Sequence, residues 1–205
     1  MTLVKICGIT DLEDAQLAVD LGADMLGFNF YEKSPRFIES EKARDIISQL
    51  PDSVEKVGVF VNEPKERLFE IVEQAGLDSV QLHGDEPPEY VEILKGLKVI
   101  KAFRLSSDLD LAVFANYKVD AILLDAFSSS EYGGTGQTCD WTAAAKIASR
   151  FPKLFLSGGL GPHNVVEAMA TVRPYAVDAC SGLESSKGKK DAEKLADFIT
   201  AAKRS

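Results

Sequence analysis

Two side chains in this sequence are suited to proton transfer and stand at equivalent places. Cys7 ends the apolar run 3–7, and Asp125 ends the run 121–125. If both runs are strands of one sheet, a thiol and a carboxyl group face one pocket, where such a pair can act as general base and general acid. A single cysteine is also a common buried filler, so residue type alone leaves two readings for Cys7. Asp125 follows Ala121-Ile122-Leu123-Leu124 directly. A carboxylate at the edge of an apolar core needs a partner or a task.

Around this pair stand groups fit to hold an anion. Arg36 follows Lys33-Ser34-Pro35. The proline stiffens the approach, so the guanidinium is either a fork preset for a carboxylate or phosphate, or a solvated surface charge. Ser157-Gly158-Gly159 follows the run 154–156, and Ser181-Gly182 follows the run 176–180. Backbone N–H groups in such loops hold phosphate through local dipoles rather than net charge. The long stretch 128–137 contains Gly133, Gly134 and Gly136, which permit hinge motion and close backbone approach to a ligand. His83 either bonds a ligand oxygen or caps its own rim, whereas His163, beside Pro162, reads as surface. Cys139 reads as structural and Cys180 as lining for the phosphate loop. Lys5 shares parity with Cys7 and so points the same way. It is either a Schiff-base lysine or an ammonium paired with a carboxylate, for which Asp178 is a candidate.

The elements that must position these groups follow from periodicity. Eight short β-branched or apolar runs, at 3–7, 25–30, 57–61, 80–82, 99–103, 121–125, 154–156 and 176–180, alternate with segments of helical period. Ala43, Ile46, Ile47 and Leu50 keep the helical spacing, as do Leu68, Ile71, Val72 and Ala75, and again Ala192, Leu195, Ala196 and Ile199. Thr10 with Glu13 reads as a capping box for the first helix, which Gly22 would end. Crossover helices return the chain to the same end of a sheet, so the strands are parallel. The expected fold is a single α/β domain over 1–205, a (β/α)8 barrel. The alternative, a doubly wound open sheet, usually shows a glycine fingerprint after strand one, where this chain has Cys7-Gly8-Ile9-Thr10. Polar or reactive residues (Cys7, Asn29, Asn62, His83, Arg104, Asp125, Ser157 and Cys180) sit at or just past every strand end, as a barrel active site requires.

Composition removes several classes of function. The 205 residues carry 23 basic and 32 acidic side chains, a formal net charge of −9, which argues against nucleic acid or an anionic membrane as partner. No apolar run approaches the ~20 residues of a membrane span, and the start 1–5 lacks a signal-peptide core, so a cytoplasmic location is expected. Three widely spaced cysteines suggest reduced thiols. Two histidines without a CxxC or HExxH motif leave no zinc site, and neither metal nor cofactor is expected. The expected partner is a small phosphorylated substrate, with monomer and homodimer both open.

Read in order, Val4-Lys5-Ile6-Cys7-Gly8, Ser34-Pro35-Arg36, Gly58-Val59-Phe60-Val61-Asn62, Gln81-Leu82-His83-Gly84-Asp85, Leu123-Leu124-Asp125, Gly133-Gly134-Thr135-Gly136, Asp140-Trp141, Gly158-Gly159-Leu160, Asp178 with Ser181-Gly182-Glu184, and Lys187-Gly188-Lys189-Lys190-Asp191 resemble the phosphoribosylanthranilate isomerase family. Cys139 and Cys180 depart from it, standing where the family usually has an aromatic residue and often has serine. The resemblance implies an Amadori rearrangement of N-(5-phosphoribosyl)anthranilate in tryptophan biosynthesis, with Cys7 as general base and Asp125 as general acid. It further implies that Arg36 holds the anthranilate carboxylate, Asp178 contacts the sugar, and the glycine loops containing Gly134, Gly158, Gly159, Ser181 and Gly182 enclose the phosphate. Rival readings are another sugar-phosphate barrel, either an epimerase, which would usually need metal-ligand histidines, or an aldolase working through Lys5, and a non-catalytic phosphate-ligand binder.

Overall fold

The computed structural model describes residues 2–105, 111–126 and 140–204. Eight parallel strands close into a barrel in sequence order. They are β1 (Leu3–Cys7), β2 (Met25–Asn29), β3 (Glu55–Phe60), β4 (Ser79–Leu82), β5 (Lys98–Leu105), β6 (Ala121–Ala126), β7 (Leu154–Leu156) and β8 (Ala176–Ala179). Closure comes from β8 pairing with β1, Leu3 to Ala176 through Ile6 to Ala179. The doubly wound alternative is thereby set aside, since an open sheet would leave two unpaired edges.

Period-two alternation divides each strand between two cores. Met25, Val57, Ile100, Ala102, Leu123 and Phe155 face inward and fill the barrel. Val4, Ile6, Leu26, Phe28, Val80 and Leu124 face outward into the layer shared with the helices. The interior is therefore packed rather than hollow, and a cavity opens at its C-terminal end. Toward that end the inward series turns polar, with Lys5 and Cys7 on β1, Gln81 on β4 and Asp125 on β6.

Helices α1 (Leu12–Asp20), α2 (Ser40–Ile47), α3 (Lys65–Ala75), α4 (Pro88–Ile93), α5 (Trp141–Ala148), α6 (Val165–Val172) and α7 (Ala192–Arg204) cover the barrel. The crossover from β5 to β6 contains the 3₁₀ helix Leu111–Asn116. Ala43, Ile46, Ile47, Leu68, Ile71 and Ala75 are buried as the spacing predicts. In α7 the buried face is Leu195, Phe198, Ile199 and Ala202, so the periodic stripe runs one turn later than the one starting at the exposed Ala192. The cap of α1 also differs from expectation. Asp11, not Thr10, accepts the Asp14 amide, because the Thr10 hydroxyl donates to Gly188 O at 2.6 Å. Gly22, at φ 99, follows the helix end as expected.

Gly188 belongs to an element that periodicity does not reveal. After β8 the chain makes a two-stranded antiparallel hairpin, β9 (Glu184–Ser186) and β10 (Lys189–Lys190), turned by Gly188 at φ 83. Strands this short are marginal alone. The Thr10 bond and the buried Lys190 hold this one against the barrel mouth.

Candidate active site

The C-terminal strand ends enclose a cavity of about 460 Å³. Its wall includes Cys7, Arg36, His83, Asp125, Asp178 and Cys180, so every catalytic and substrate-binding residue expected from the sequence meets in one place. Cys7 and Asp125 are separated by the two strands β7 and β8 on the shorter path around the barrel. Both are almost completely buried, yet both reach the cavity.

Cys7 stands in a positive environment built by β1 and the hairpin. The neighbouring Cys180 thiol favours its ionisation most, burial and the Asp178 carboxylate oppose it, and the Lys5 and Lys190 ammoniums favour it. The balance pulls the Cys7 thiol down to about 6, the direction a general base requires. Cys180 moves the opposite way, raised by the neighbouring Cys7 and by burial, and its thiol lies 3.8 Å from Glu184 Oε1. Lys5 is fully buried on β1, with Nζ 2.8 Å from Asp178 Oδ1. Burial alone would lower its pKa, but the Asp178 carboxylate and Cys7 more than reverse this, and the net shift is upward. Of the two readings for Lys5, the paired ammonium is therefore the one found. The second Asp178 oxygen accepts from Ser157 Oγ at 3.1 Å.

The opposite wall holds a chain of three side chains. Gln81 Nε2 lies 2.7 Å from His83 Nδ1, and His83 Nε2 lies 3.2 Å from Asp125 Oδ2. With the amide donating to Nδ1, the imidazole proton sits on Nε2 and points at Asp125. His83 thus orients the carboxyl group as well as forming part of the rim. Gln81, which sequence reasoning passed over as part of a motif, fixes the ring. Strand parity could have found it, since positions 79, 81 and 83 share one face.

Arg36 is held rather than solvated. Its Nε and Nη2 donate to the two Glu184 carboxylate oxygens at 2.8 Å each. The Glu184 hydrogen bond raises the guanidinium pKa further against burial. Burial works against Glu184, but Arg36 and Lys190 hold its carboxyl below the usual value. This fork-to-fork pair uses the Nε–Nη2 edge of the guanidinium, and among the described residues Nη1 has no hydrogen-bond partner. Glu184 and Lys190 entered the sequence reading only as motif letters. Their roles depend on the hairpin, which carries no periodic signal.

Of the residues expected to meet a phosphate, Gly158, Gly159, Ser181 and Gly182 follow the C-terminal ends of β7 and β8 but do not line the cavity. Gly158 and Gly159 follow β7 with φ of 90 and 63, and Ser181 and Gly182 open a 3₁₀ turn after β8. The two loops are in contact, because a Cβ on Gly182 would overlap the Leu160 carbonyl oxygen. Gly134 and Cys139 lie outside the described residues. His163 is exposed, as expected.

These features can be set beside known proteins. A family model described as N-(5'-phosphoribosyl)anthranilate (PRA) isomerase matches residues 4–201. The N-(5'-phosphoribosyl)anthranilate isomerase of Geobacter sulfurreducens is 50% identical over 203 residues, covering 99% of each chain. The crystal structure of phosphoribosyl anthranilate isomerase from Thermotoga maritima superposes with a TM-score of 0.93 at 46% identity, covering both chains completely. Another such isomerase, solved in complex with reduced 1-(o-carboxyphenylamino)-1-deoxyribulose 5-phosphate, gives a TM-score of 0.89 at 45% identity, again with both chains fully covered. Agreement over the whole length in sequence and fold, with Cys7, Asp125 and Arg36 meeting in one cavity, is decisive: the chain belongs to the N-(5'-phosphoribosyl)anthranilate isomerase family.

Proposed function

We propose that this barrel, as one catalytic domain, converts N-(5-phosphoribosyl)anthranilate to 1-(2-carboxyphenylamino)-1-deoxyribulose 5-phosphate, a step of tryptophan biosynthesis. The observation that carries the proposal is a thiol held toward thiolate and a carboxyl group oriented by His83, facing each other across one cavity. Asp125 protonates the furanose ring oxygen as the C1′–O bond breaks, and the aniline nitrogen lone pair forms the C1′ imine. Cys7 removes the C2′ proton, and the electrons flow to the imine nitrogen to give the enolamine. Tautomerisation to the ketone completes the isomerisation with no net loss of atoms. Proton transfer and positioning suffice for both steps, so the reading needs no metal and no cofactor.

Binding follows the same geometry. The Nη1–Nη2 end of the Arg36 guanidinium takes the anthranilate carboxylate, Asp178 bonds the sugar, and the glycine loops containing Gly134, Gly158, Gly159, Ser181 and Gly182 receive the phosphate. An aldolase acting through Lys5 is disfavoured, since a Schiff base requires a neutral amine and Lys5 is an ion-paired ammonium. The expected setting is cytoplasmic, as a monomer or homodimer. Among the described residues no helix is long and apolar enough to cross a membrane, and one solved Thermotoga maritima structure is of monomers generated from a dimeric phosphoribosylanthranilate isomerase.

The test is a fluorescence assay following consumption of freshly generated phosphoribosylanthranilate. Turnover should be readily measured with the parent chain. Cys7→Ala and Asp125→Asn should each lower kcat by at least ~10²–10⁴, the scale of a lost general base or acid. Full activity in either variant would remove that residue from the mechanism.

A further inference from the structure

We propose that Cys7 and Cys180 constitute a modification site, a dithiol that a hydroperoxide oxidises to a disulfide and a dithiol reductant reopens. The case rests on where barrel closure puts two thiols. β1 and β8 pair in parallel register as far as Ile6 and Ala179, so Cys7 and Cys180 are the next residues along the same two strands. Neighbouring strands lie about 4.8 Å apart, inside the roughly 4.4–6.8 Å between Cα atoms that a disulfide spans. Both side chains line the cavity, so the two thiols enter it from adjacent strands at the same level, with Cys180 Sγ also 3.8 Å from Glu184 Oε1.

Two further contacts hold this arrangement. Lys190 Nζ donates to Cys7 O at 2.7 Å and to Cys180 O at 3.3 Å, and lies 4.0 Å from Cys180 Sγ. One ammonium therefore ties the two backbones together. Gly8 makes room for the second thiol, since a Cβ there would sit 2.8 Å from Cys180 Sγ. A thiolate-prone cysteine reached from solvent, with a second thiol beside it, is the arrangement in which oxidation stops at a disulfide.

The chemistry balances with a hydroperoxide as the oxidant. The Cys7 thiolate attacks one peroxide oxygen, the O–O bond breaks, and the departing oxygen takes a proton to leave as water or alcohol. Cys7 is then a sulfenic acid. Cys180 gives up its proton and attacks the Cys7 sulfur; the S–S bond forms, the S–O bond breaks, and the hydroxide leaves as water. Two electrons pass from the two thiols to the peroxide. Because Cys7 is the base of the proposed function, the disulfide switches turnover off, and a ligand filling the cavity shields the pair.

The experiment uses the full chain carrying Cys139→Ser, so that only the two thiols remain. It is exposed to hydrogen peroxide without reductant and examined by peptide mass mapping and by turnover. The expected result is a Cys7–Cys180 cross-linked peptide and a loss of turnover of at least about tenfold, with the cross-link lost and turnover restored on adding dithiothreitol. Inorganic phosphate plus anthranilate at saturation should slow the cross-link. A Cys7 sulfinate with Cys180 still free, or no cross-link at all, would overturn the proposal. In a folded Cys180→Ser variant, checked by circular dichroism, Cys7 should oxidise past the sulfenate and dithiothreitol should no longer restore turnover. Recovery equal to the parent would overturn it as well. A cross-link that forms while turnover persists would leave the dithiol site standing and refute Cys7 as the base.

Discussion

Cys7 owes its acidity to three neighbours that arrive from different parts of the chain: Cys180 after β8, Lys5 on its own strand and Lys190 on the hairpin. In the proposed function the base works as a thiolate, so activity is present above the thiol pKa and is lost as pH falls through it. kcat/KM, which reports the free enzyme, should therefore fall about tenfold per unit on the acid side of pH ~6, and a profile flat down to pH 4.5 would exclude Cys7 as the titrating base. Arg36 is held by Glu184, and in the proposed function it binds the substrate carboxylate. Arg36→Met should raise KM roughly ten- to a hundredfold, corresponding to about 1.5–3 kcal/mol for a charged hydrogen bond, while kcat changes far less. An unchanged KM in steady-state kinetics would reduce Arg36 to a partner of Glu184 alone.

At the level of elements, the rim depends on loops that fit together with no spare space. The turn after β7 and the turn after β8 meet where Gly182 lies against the Leu160 carbonyl. Any side chain there must push the two loops apart. Gly182→Ala should cost about 1–3 kcal/mol as local overpacking. At about 2–4 °C per kcal/mol for a chain of this size, thermal unfolding should shift down by several degrees. If these loops receive the phosphate, KM should rise in the same variant. A lower Tm with unaltered KM would separate the packing role from the binding role. The hairpin β9–β10 is the second such element. It carries no apolar face of its own, yet it delivers Lys190 beneath Cys7 and Glu184 beside Arg36.

For the whole molecule, the decisive contact is the one that closes the barrel. Lys5 and Asp178 are paired register neighbours on β1 and β8, and their 2.8 Å ion pair is buried. Such a pair is weak evidence of net stabilisation, but removing one partner strands a buried charge at a cost of about 3–5 kcal/mol. Lys5→Met should therefore lower Tm by roughly 10 °C. It should also move the acid limb of kcat/KM to higher pH, because the cation that helps hold the Cys7 thiol down is gone. Differential scanning calorimetry and the pH profile test the two effects separately. An unmoved limb would show that Lys5 serves closure and not the base.

Period-two alternation and strand-end polarity were legible in the sequence, and they were enough to put Cys7, His83, Asp125 and Asp178 on one inward face at one end of a parallel sheet. These are local properties: side-chain direction is set by parity, and strand ends by where apolar runs stop. The ordered motifs added the chemistry those positions share. What sequence could not decide was partnership. Arg36 with Glu184, Lys190 with both cysteine carbonyls, and Cys7 with Cys180 each join residues more than 140 positions apart or across the closing seam of the barrel. Thr10 shows the same limit at short range, since its hydroxyl leaves the helix for Gly188 and Asp11 takes the cap. Such pairings depend on which strand ends become neighbours when the sheet closes. That is fixed by the register and curvature of the whole barrel, not by any local pattern of residues.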